Sequence, residues 1–297
     1  MGGAMETDTG CELLYLNGSY LPLAEGRISV EDRGFQFGDG LYEVVRFNCG
    51  QLLWLEEHLQ RLAEGLRKVG IADVGPVAEL ARAIPTVVER CSVEEGFVYA
   101  QVTRGVAPRD FVAVTADAPT VLAYARPWAR LTWEEIEAGC AIHPMDDFRW
   151  ARCDIKTIGL LAAVMGKGEA EKAGAADVLW VGPDGSLRES GSGNFFAVFD
   201  GVIRTHPADN RILDGVTRQK AVALARQLGF EVDERPVTLA ELEHAEEAFL
   251  TSTKRDVLPV LRVGEIVVGI GEAEGKPGPV SLRLAKALRT LVDQVCG

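Results

Sequence analysis

The chain has 297 residues, 47% of them hydrophobic and 25% charged, with a formal net charge of −13, a composition able to bury one large or two ordinary cores. A surface of that sign repels phosphates, so nucleic acid and anionic membranes are excluded as default partners, and any anionic ligand must be held by a local basic site. No segment approaches the roughly 18 apolar residues of a membrane span, and Met1 to Gly10 carries Glu6 and Asp8 without an apolar run, unlike a signal peptide or anchor.

Leu13 to Leu16 and Ser19 to Pro22 flank Asn17-Gly18, a dipeptide suited to a type I′ turn, so the fold is expected to open with a β-hairpin. Leu41 to Phe47 and Leu52 to Trp54 read as strands joined through Asn48-Cys49-Gly50. Glu56 to Val69 then carries Leu59, Leu62 and Leu66 at helical spacing and stops at Gly70. Val77 to Cys91 reads as a helix around Pro85, and Phe97 to Thr103 and Thr120 to Ala125 alternate like a strand pair. Thr132 and Glu135 make a capping box. These signals divide the chain into a small domain over residues 13–127, a linker at 128–131 and a larger domain over 132–297.

In the larger part, Ile158 to Ala173 is expected to be a helix ended by Gly174. Val178 to Val181 and Ser186 to Arg188 flank a Gly182-Pro183-Asp184-Gly185 turn, and Asn194 to Phe199 turns at Asp200-Gly201 into Val202 to Thr205. Thr217 heads a helix to Leu228, Leu239 to His244 is a short helix, and Ala248 to Thr251 a strand. The last helix, Ser281 to Val295, aligns Leu284, Leu288, Leu291 and Val295. Gly264 to Pro279 is glycine-rich enough to read as a mobile loop.

Cys11, Cys49, Cys91, Cys140, Cys153 and Cys296 show no CxxC spacing, which points to reduced thiols in a cytoplasmic protein rather than to a disulfide frame or zinc site. His58, His143, His206 and His244 show no HxxxH or HxH pairing, so no metal centre is expected.

The chemistry points to Arg149-Trp150-Ala151-Arg152-Cys153-Asp154-Ile155-Lys156. Only eight of the 31 basic residues are lysines, and Lys156 lies between Ile155 and Ile158 with arginines before it. Desolvation and neighbouring cations would both favour a nucleophilic free amine. The rival reading is a lysine that merely snorkels from the start of an amphipathic helix.

Other blocks decide between the two. Glu31-Asp32-Arg33-Gly34-Phe35-Gln36-Phe37-Gly38-Asp39-Gly40-Leu41-Tyr42-Glu43, Glu57 to Leu62, Gln101 to Gly105, Glu189-Ser190-Gly191-Ser192-Gly193-Asn194-Phe195, Thr205-His206-Pro207, Gly215 to Arg218 and Thr251-Ser252-Thr253 follow in order around the lysine segment. Together they resemble the class IV pyridoxal-phosphate aminotransferases, and within them the D-amino acid transaminases.

That resemblance implies a two-domain α/β (α+β) fold, a small N-terminal α+β domain and a larger barrel-like C-terminal domain. It also implies a pyridoxal 5′-phosphate cofactor. Lys156 matches the Schiff-base lysine and general base, and Glu189 the carboxylate that keeps the pyridine nitrogen protonated. Val216, Thr217, Ser252, Thr253 and Arg61 match the phosphate cradle, Arg149 the contact to the phenolic oxygen, and Leu213 the support of the ring face. Arg109 and Tyr42 match residues that hold the substrate α-carboxylate, and Phe111 stands where the D-amino acid enzymes carry a histidine. Arg46, Arg104, Lys254 and Arg255 are candidates to replace that donor.

The resemblance further implies a homodimer in which Tyr42 reaches the neighbouring site. The activity implied is ping-pong transamination from a D-amino acid such as D-alanine to 2-oxoglutarate or pyruvate. Branched-chain L-amino acid transaminases, amine transaminases and aminodeoxychorismate lyases share Lys156, Glu189 and the phosphate set. They remain the rivals, together with a non-catalytic cofactor carrier.

Overall fold

Asn17 and Gly18 both adopt left-handed backbone, φ 47° and 87°, and as a two-residue turn they join β1 (Leu13–Leu16) to β2 (Ser19–Pro22) with Leu16 opposite Ser19. The computed structural model describes residues 10–112 and 118–296. The segment expected to lack a leader lies outside them except for Gly10. The chain divides into two compact units. The first runs to Ala129 and includes 156–159 and the residues from Val295 on; the second holds 130–155 and 160–294.

In the first unit, β1 and β2 are followed by α1 (Arg33–Phe37), β3 (Gly40–Asn48), β4 (Gln51–Leu52), α2 (Leu55–Val69), α3 (Val74–Glu89), β5 (Gly96–Thr103) and β6 (Thr120–Pro127). The strands form one sheet in the order β2-β1-β6-β5-β3-β4. Its inner face meets α2 and α3, where Leu62, Leu66, Leu80 and Ile84 pack with Val45, Phe47, Val98 and Ala123, all at most 1% exposed. The five-residue α1 has no periodicity to betray it. Asp32 caps it by accepting from the Gly34 amide at 2.7 Å, and Gly38 ends it at φ 69°. Helix α3 starts at Val74, earlier than its apolar spacing suggests, because Pro76 falls in the first turn, where no amide is needed for the helix ladder.

Four of the six cysteines are paired, Cys11 with Cys91 and Cys49 with Cys296, at Cα separations of 4.5 and 5.5 Å. The expectation of reduced thiols is overturned for these four, and the cytoplasmic reading drawn from it loses that basis. Spacing along the chain cannot reveal such pairs. Cys11 meets Cys91 because the Ser92 amide donates to Gly10 O at 2.7 Å, and Cys49 lies at the tip of the β3–β4 hairpin. Cys140 and Cys153 are free thiols, each pushed up to about 11 by burial and so poorly nucleophilic at neutral pH.

Segment 156–159 belongs to the first unit because it completes an edge there. Strand β4 covers only the far end of β3. At the near end, the Tyr42 amide donates to Lys156 O at 3.0 Å and the Ile158 amide to Gly40 O at 3.1 Å, with Leu41 bridged to Thr157. These backbone groups are therefore not available to a helix, and the one expected from Ile158 begins only at Leu161.

The second unit contains α4 (Trp133–Ala138), β7 (Cys140–Asp146), α5 (Leu161–Lys172), β8 (Asp177–Val181), β9 (Ser186–Ser190), β10 (Asn194–Phe199) and β11 (Val202–Thr205). It continues through α6 (Val216–Gln227), β12 (Val232–Asp233), β13 (Val237–Thr238), β14 (Glu247–Ser252), β15 (Asp256–Val263), β16 (Ile266–Val267) and α7 (Pro279–Asp293). The capping box is present: Thr132 Oγ1 accepts from the Glu135 amide at 3.2 Å and Glu135 Oε2 from the Thr132 amide at 2.7 Å. Neighbours run β10-β14-β15-β7-β8-β9, and a bridge between Glu189 of β9 and Asn194 of β10 closes them into a ring. The fold is mixed α/β with a closed, barrel-like sheet filled by Leu179, Leu187, Phe195, Ala197, Leu250 and Val260.

Strands β7 and β15 escape sequence reading because each carries a proline, and β15 reads as a nearly continuous apolar run rather than an alternation. The stretch read as a mobile loop is hydrogen-bonded instead. Strand β16 pairs with β15, the Gly269 amide donates to Ala245 O at 3.2 Å and the Gly275 amide to Val268 O at 2.8 Å. The buried stripe of α7 is Leu284, Leu288 and Val292, not Leu291 and Val295. No helix among the described residues is long and apolar enough to cross a membrane.

Candidate active site

In the first unit, β3 alternates a buried Glu43 with a half-buried Tyr42 on the opposite face. Lys156, held beside Tyr42 by the edge pairing, carries its Nζ 4.3 Å from the centroid of the Tyr42 ring. Tyr42 stacks on Tyr99 and Tyr99 packs at a tilt against Tyr124, each pair at 5.5 Å between centroids, so that face of the sheet is an aromatic floor. Burial drives the Tyr99 phenol above its usual range, and its hydroxyl donates to Gln101 Oε1 at 2.7 Å. Tyr42 thus lies against the lysine of its own chain, whereas the resemblance implies a reach into a neighbouring site.

Behind this floor, Glu43 takes Arg61 in a fork, Nε to Oε1 and Nη2 to Oε2, both at 2.7 Å. His58 Nδ1 lies 2.8 Å from Glu43 Oε2. Burial alone would raise the Glu43 carboxyl, but Arg61 and His58 outweigh it and hold the group well below the ordinary carboxylate range. Burial lowers His58, leaving the ring neutral despite Glu43. His58 and Arg61 lie three residues apart on one face of α2, so the helix delivers both to the same carboxylate. Arg61 is thus fixed in direction before it meets any ligand.

In the second unit, Glu189 sits at the ring closure with donors around it. Its Oε1 accepts from Arg149 Nη1 at 2.6 Å, and its Oε2 from the Leu213 amide at 3.1 Å and Asn194 Nδ2 at 3.3 Å. Arg149 is also forked onto the buried Asp147, Nε to Oδ1 at 3.0 Å and Nη2 to Oδ2 at 2.9 Å, and these carboxylates raise its pKa further despite burial. The residue matched to a phenolic-oxygen contact is therefore engaged with Glu189 and Asp147. Asn194 Nδ2 also donates to Leu213 O at 2.7 Å. Leu213 is half-exposed whereas Ile212 beside it is fully buried, so it is Ile212, not Leu213, that fills the core.

Helix α6 starts after Gly215, which offers no side-chain cap, leaving the first-turn amides of Val216 and Thr217 for an external acceptor. Thr217 is inside the first turn and is not the cap. A Cβ on Gly215 would lie 2.3 Å from Asn194 Oδ1, and one on Gly193 would lie 2.5 Å from Thr251 O. Only glycine permits these close approaches among the 189–194 loop, the start of α6 and the end of β14. At that end, Thr251 Oγ1 is buried without a hydrogen-bond partner among the described residues. Uncapped amides, an orphaned hydroxyl and the Ser252-Thr253 pair suit a phosphate, and Glu189 suits a protonated ring nitrogen.

The remaining candidates group elsewhere. Arg109 lies over the Phe37 ring at 4.5 Å and Phe111 stands 5.6 Å from the same ring, so both gather on α1. Arg104 grips Asp39 at 2.8 and 3.1 Å and the end of α2 through Val69 O and Gly70 O. Arg255 reaches Asp177 at 3.4 Å and Ala176 O at 3.0 Å. Arg46 is buried on β3. Glu43, His58 and Asn194 were missed as site residues. A carboxylate inside the apolar run Leu41 to Phe47 is the signal that could have exposed the first two, since a buried charge demands a partner.

Comparison with known proteins gives the family. The family model described as amino-transferase class IV matches residues 40–263. The D-alanine aminotransferase of Bacillus licheniformis is 37% identical over 93% of this chain and 95% of its own length. Among solved structures, the T.th. branched-chain amino acid aminotransferase with pyridoxamine 5′-phosphate superimposes with a TM-score of 0.87 at 26% identity, over 95% of this chain and 94% of that one. The same enzyme complexed with N-(5′-phosphopyridoxyl)-L-glutamate gives a TM-score of 0.85 at 26% identity, over 96% and 95%.

Proposed function

Because the chain belongs to the class IV aminotransferases and is a pyridoxal-phosphate-dependent enzyme, we propose that it transfers the amino group of a D-amino acid, D-alanine foremost, to a 2-oxo acid in two half-reactions. The observation that carries the transaminase part of this reading is Glu189, a carboxylate held by Arg149, Asn194 and the Leu213 amide at the closure of the ring of strands; the D-amino acid preference is supported by the likeness to the D-alanine aminotransferase of Bacillus licheniformis. The bound cofactor supplies an electron sink for the charge left at the substrate Cα.

The chain's own residues do the rest. Lys156 holds the cofactor at its aldehyde carbon and, once displaced by substrate, moves the proton at the substrate Cα. Glu189 keeps a proton on the ring nitrogen, and Arg149 fixes the direction of its carboxylate. The amides of Val216 and Thr217, with Ser252, Thr253 and Arg61, hold the phosphate; Leu213 supports the ring face. Tyr42 shapes the substrate side beside Lys156; Arg109 and Phe111, which lie against Phe37 of α1, are assigned to substrate by the resemblance alone, with Arg109 as the carboxylate donor.

A homodimer belongs to the same proposal. Each unit presents large apolar side chains to solvent: Phe35 and Phe111, at 76% and 87% exposure, in the first, and Leu161, Val164 and Met165 on α5 in the second. A second copy of the chain would cover such surfaces.

The branched-chain L-amino acid reading is kept as the alternative because of the likeness to the T.th. enzyme. Separate incubation with D-alanine, L-leucine and 1-phenylethylamine, followed by the visible absorbance of the bound cofactor, decides between them. D-Alanine is expected to change the spectrum fastest; a response to L-leucine alone would transfer the assignment to the alternative.

A further inference from the structure

One carboxylate of the second unit stands where two loops of the site meet. Asp177 opens β8 with its side chain fully buried. Its Oδ1 accepts from the Val178 amide at 2.9 Å. Its Oδ2 accepts from Ser192 Oγ at 2.8 Å and from Arg255 Nη1 at 3.4 Å, and Ser190 Oγ lies 3.3 Å away, sharing its proton with Gly193 O at 3.0 Å. Lys167 of α5 backs the same oxygen at 3.6 Å and donates to Ser192 Oγ at 3.0 Å.

These donors come from different parts of the site. Ser190 and Ser192 lie in the loop from Glu189 to Asn194, which runs so close to Asp177 that a Cβ on Gly191 would lie 2.7 Å from its Oδ1. Arg255 belongs to the turn between β14 and β15 that carries Ser252 and Thr253. Its Nη2 donates to Ala176 O at 3.0 Å and its amide to Ser252 Oγ at 3.2 Å. A hydroxyl that accepts such a bond keeps its own proton for an anion. We propose that Asp177 is a positioning residue that ties the loop after the ring-nitrogen acid to the phosphate turn, so that Glu189 and the Ser252-Thr253 pair address one cofactor. This rests on the transaminase reading above.

A carboxylate is required at this point because both of its oxygens accept. Whichever way an asparagine amide were turned, its NH2 would meet a donor, either the Val178 amide or the group gathered on Oδ2. The negative charge is needed as well. Lys167 and Arg255 both lie within 3.6 Å of one oxygen, and without it the two cations would repel each other across the junction they now close.

The test compares the full-length protein with its Asp177→Asn, Arg255→Gln and Ser192→Ala variants, the last two at positions partly or fully open to solvent. Titration of the cofactor-free protein with pyridoxal phosphate and with pyridoxal reads the turn. Arg255→Gln is expected to lose roughly three- to tenfold in affinity for pyridoxal phosphate, the range of a single hydrogen bond, and to keep its affinity for pyridoxal. The visible absorbance of the bound cofactor against pH, together with kcat, reads the loop. Ser192→Ala is expected to displace that profile and to lower kcat by a similar factor while binding pyridoxal phosphate as tightly as the unsubstituted protein. Asp177→Asn should show both changes. A lowered unfolding midpoint in Asp177→Asn with neither readout moved would make the carboxylate merely structural and overturn the proposal. Should that variant not fold, unchanged readouts in both single-arm variants would overturn it equally. Failure of the unsubstituted protein to bind pyridoxal phosphate would instead refute the transaminase reading on which the proposal stands.

Discussion

Replacing Glu43 with glutamine keeps the size of the side chain and removes its charge, and the structure sets the cost. Arg61 loses two contacts of 2.7 Å to a carboxylate, and only 16% of its side chain is exposed to water that could replace them. Breaking a buried ion pair by removing one partner costs about 3–5 kcal/mol; the partial exposure of Arg61 places this case near the low end, about 3 kcal/mol. At about 2–4 °C per kcal/mol for a large domain, the apoprotein midpoint should fall by about 6–12 °C. Thermal unfolding at pH 7.5 measures it. The double variant Glu43→Gln/Arg61→Met should regain most of the loss, because the damage comes from the cation that loses its carboxylate and not from the missing carboxylate itself. Acid should narrow the difference. Glu43 is ordinarily a group of pKa 4.5 and is held lower in the fold, so its stabilisation is complete above pH 4.5 and drains away as pH falls through the folded value. A midpoint within about 2 °C of the unsubstituted protein at pH 7.5, less than a single kcal/mol would produce, would refute the claim that this carboxylate anchors Arg61.

The other predictions address separate parts of the molecule. Lys156→Ala should lose the visible absorbance of bound cofactor and nearly all turnover; full turnover would end its assignment. Glu189→Gln should stay folded and bind cofactor yet lose roughly a hundredfold or more in kcat, as expected when a group facing developing charge is neutralised. His58, ordinarily a group of pKa 6.5, is lowered in the fold, so stability present above pH 6.5 should decline below it, and His58→Asn should flatten that limb of the midpoint against pH. Reduction of the Cys49–Cys296 bond, which closes a separation of 247 residues, should cost about 5 kcal/mol on the chain-entropy account. A thiol titration run beside the melt should count four more reactive cysteines after reduction of both pairs than before.

What could be read in advance followed from how local each signal is. The Asn17-Gly18 hairpin, the stop at Gly70 and the Thr132–Glu135 box lie within a few residues of the elements they define, and all three are present. Strand β15 is buried on both faces over most of its length, and β7 and β15 are both interrupted by proline, so the alternation that marks a strand is missing. The cysteine pairs and the docking of 156–158 on β3 are contacts across scores of residues, which no local pattern records. Within the site, Lys156, Glu189, Tyr42 and Arg149 stood out by motif, but which of them meet did not. Tyr42 beside Lys156, and Arg149 and Asn194 on Glu189, emerge only once the chain is folded.

The closure of the barrel explains why the acid resides at Glu189. A ring of strands needs a last pairing, and here it is the single bridge between Glu189 and Asn194, with a Ser190-Gly191-Ser192-Gly193 turn too tight for side chains on its glycines. So short a seam holds little backbone bonding, and side chains must secure it. Asn194 does so by donating to both Glu189 and Leu213 O, and Arg149 by tying Glu189 to Asp147. The contacts that close the barrel are therefore those that orient the carboxylate. An Asn194→Ala substitution should loosen both together, lowering the unfolding midpoint and cofactor affinity in step. A loss of one without the other would show that the seam and the acid are separable after all.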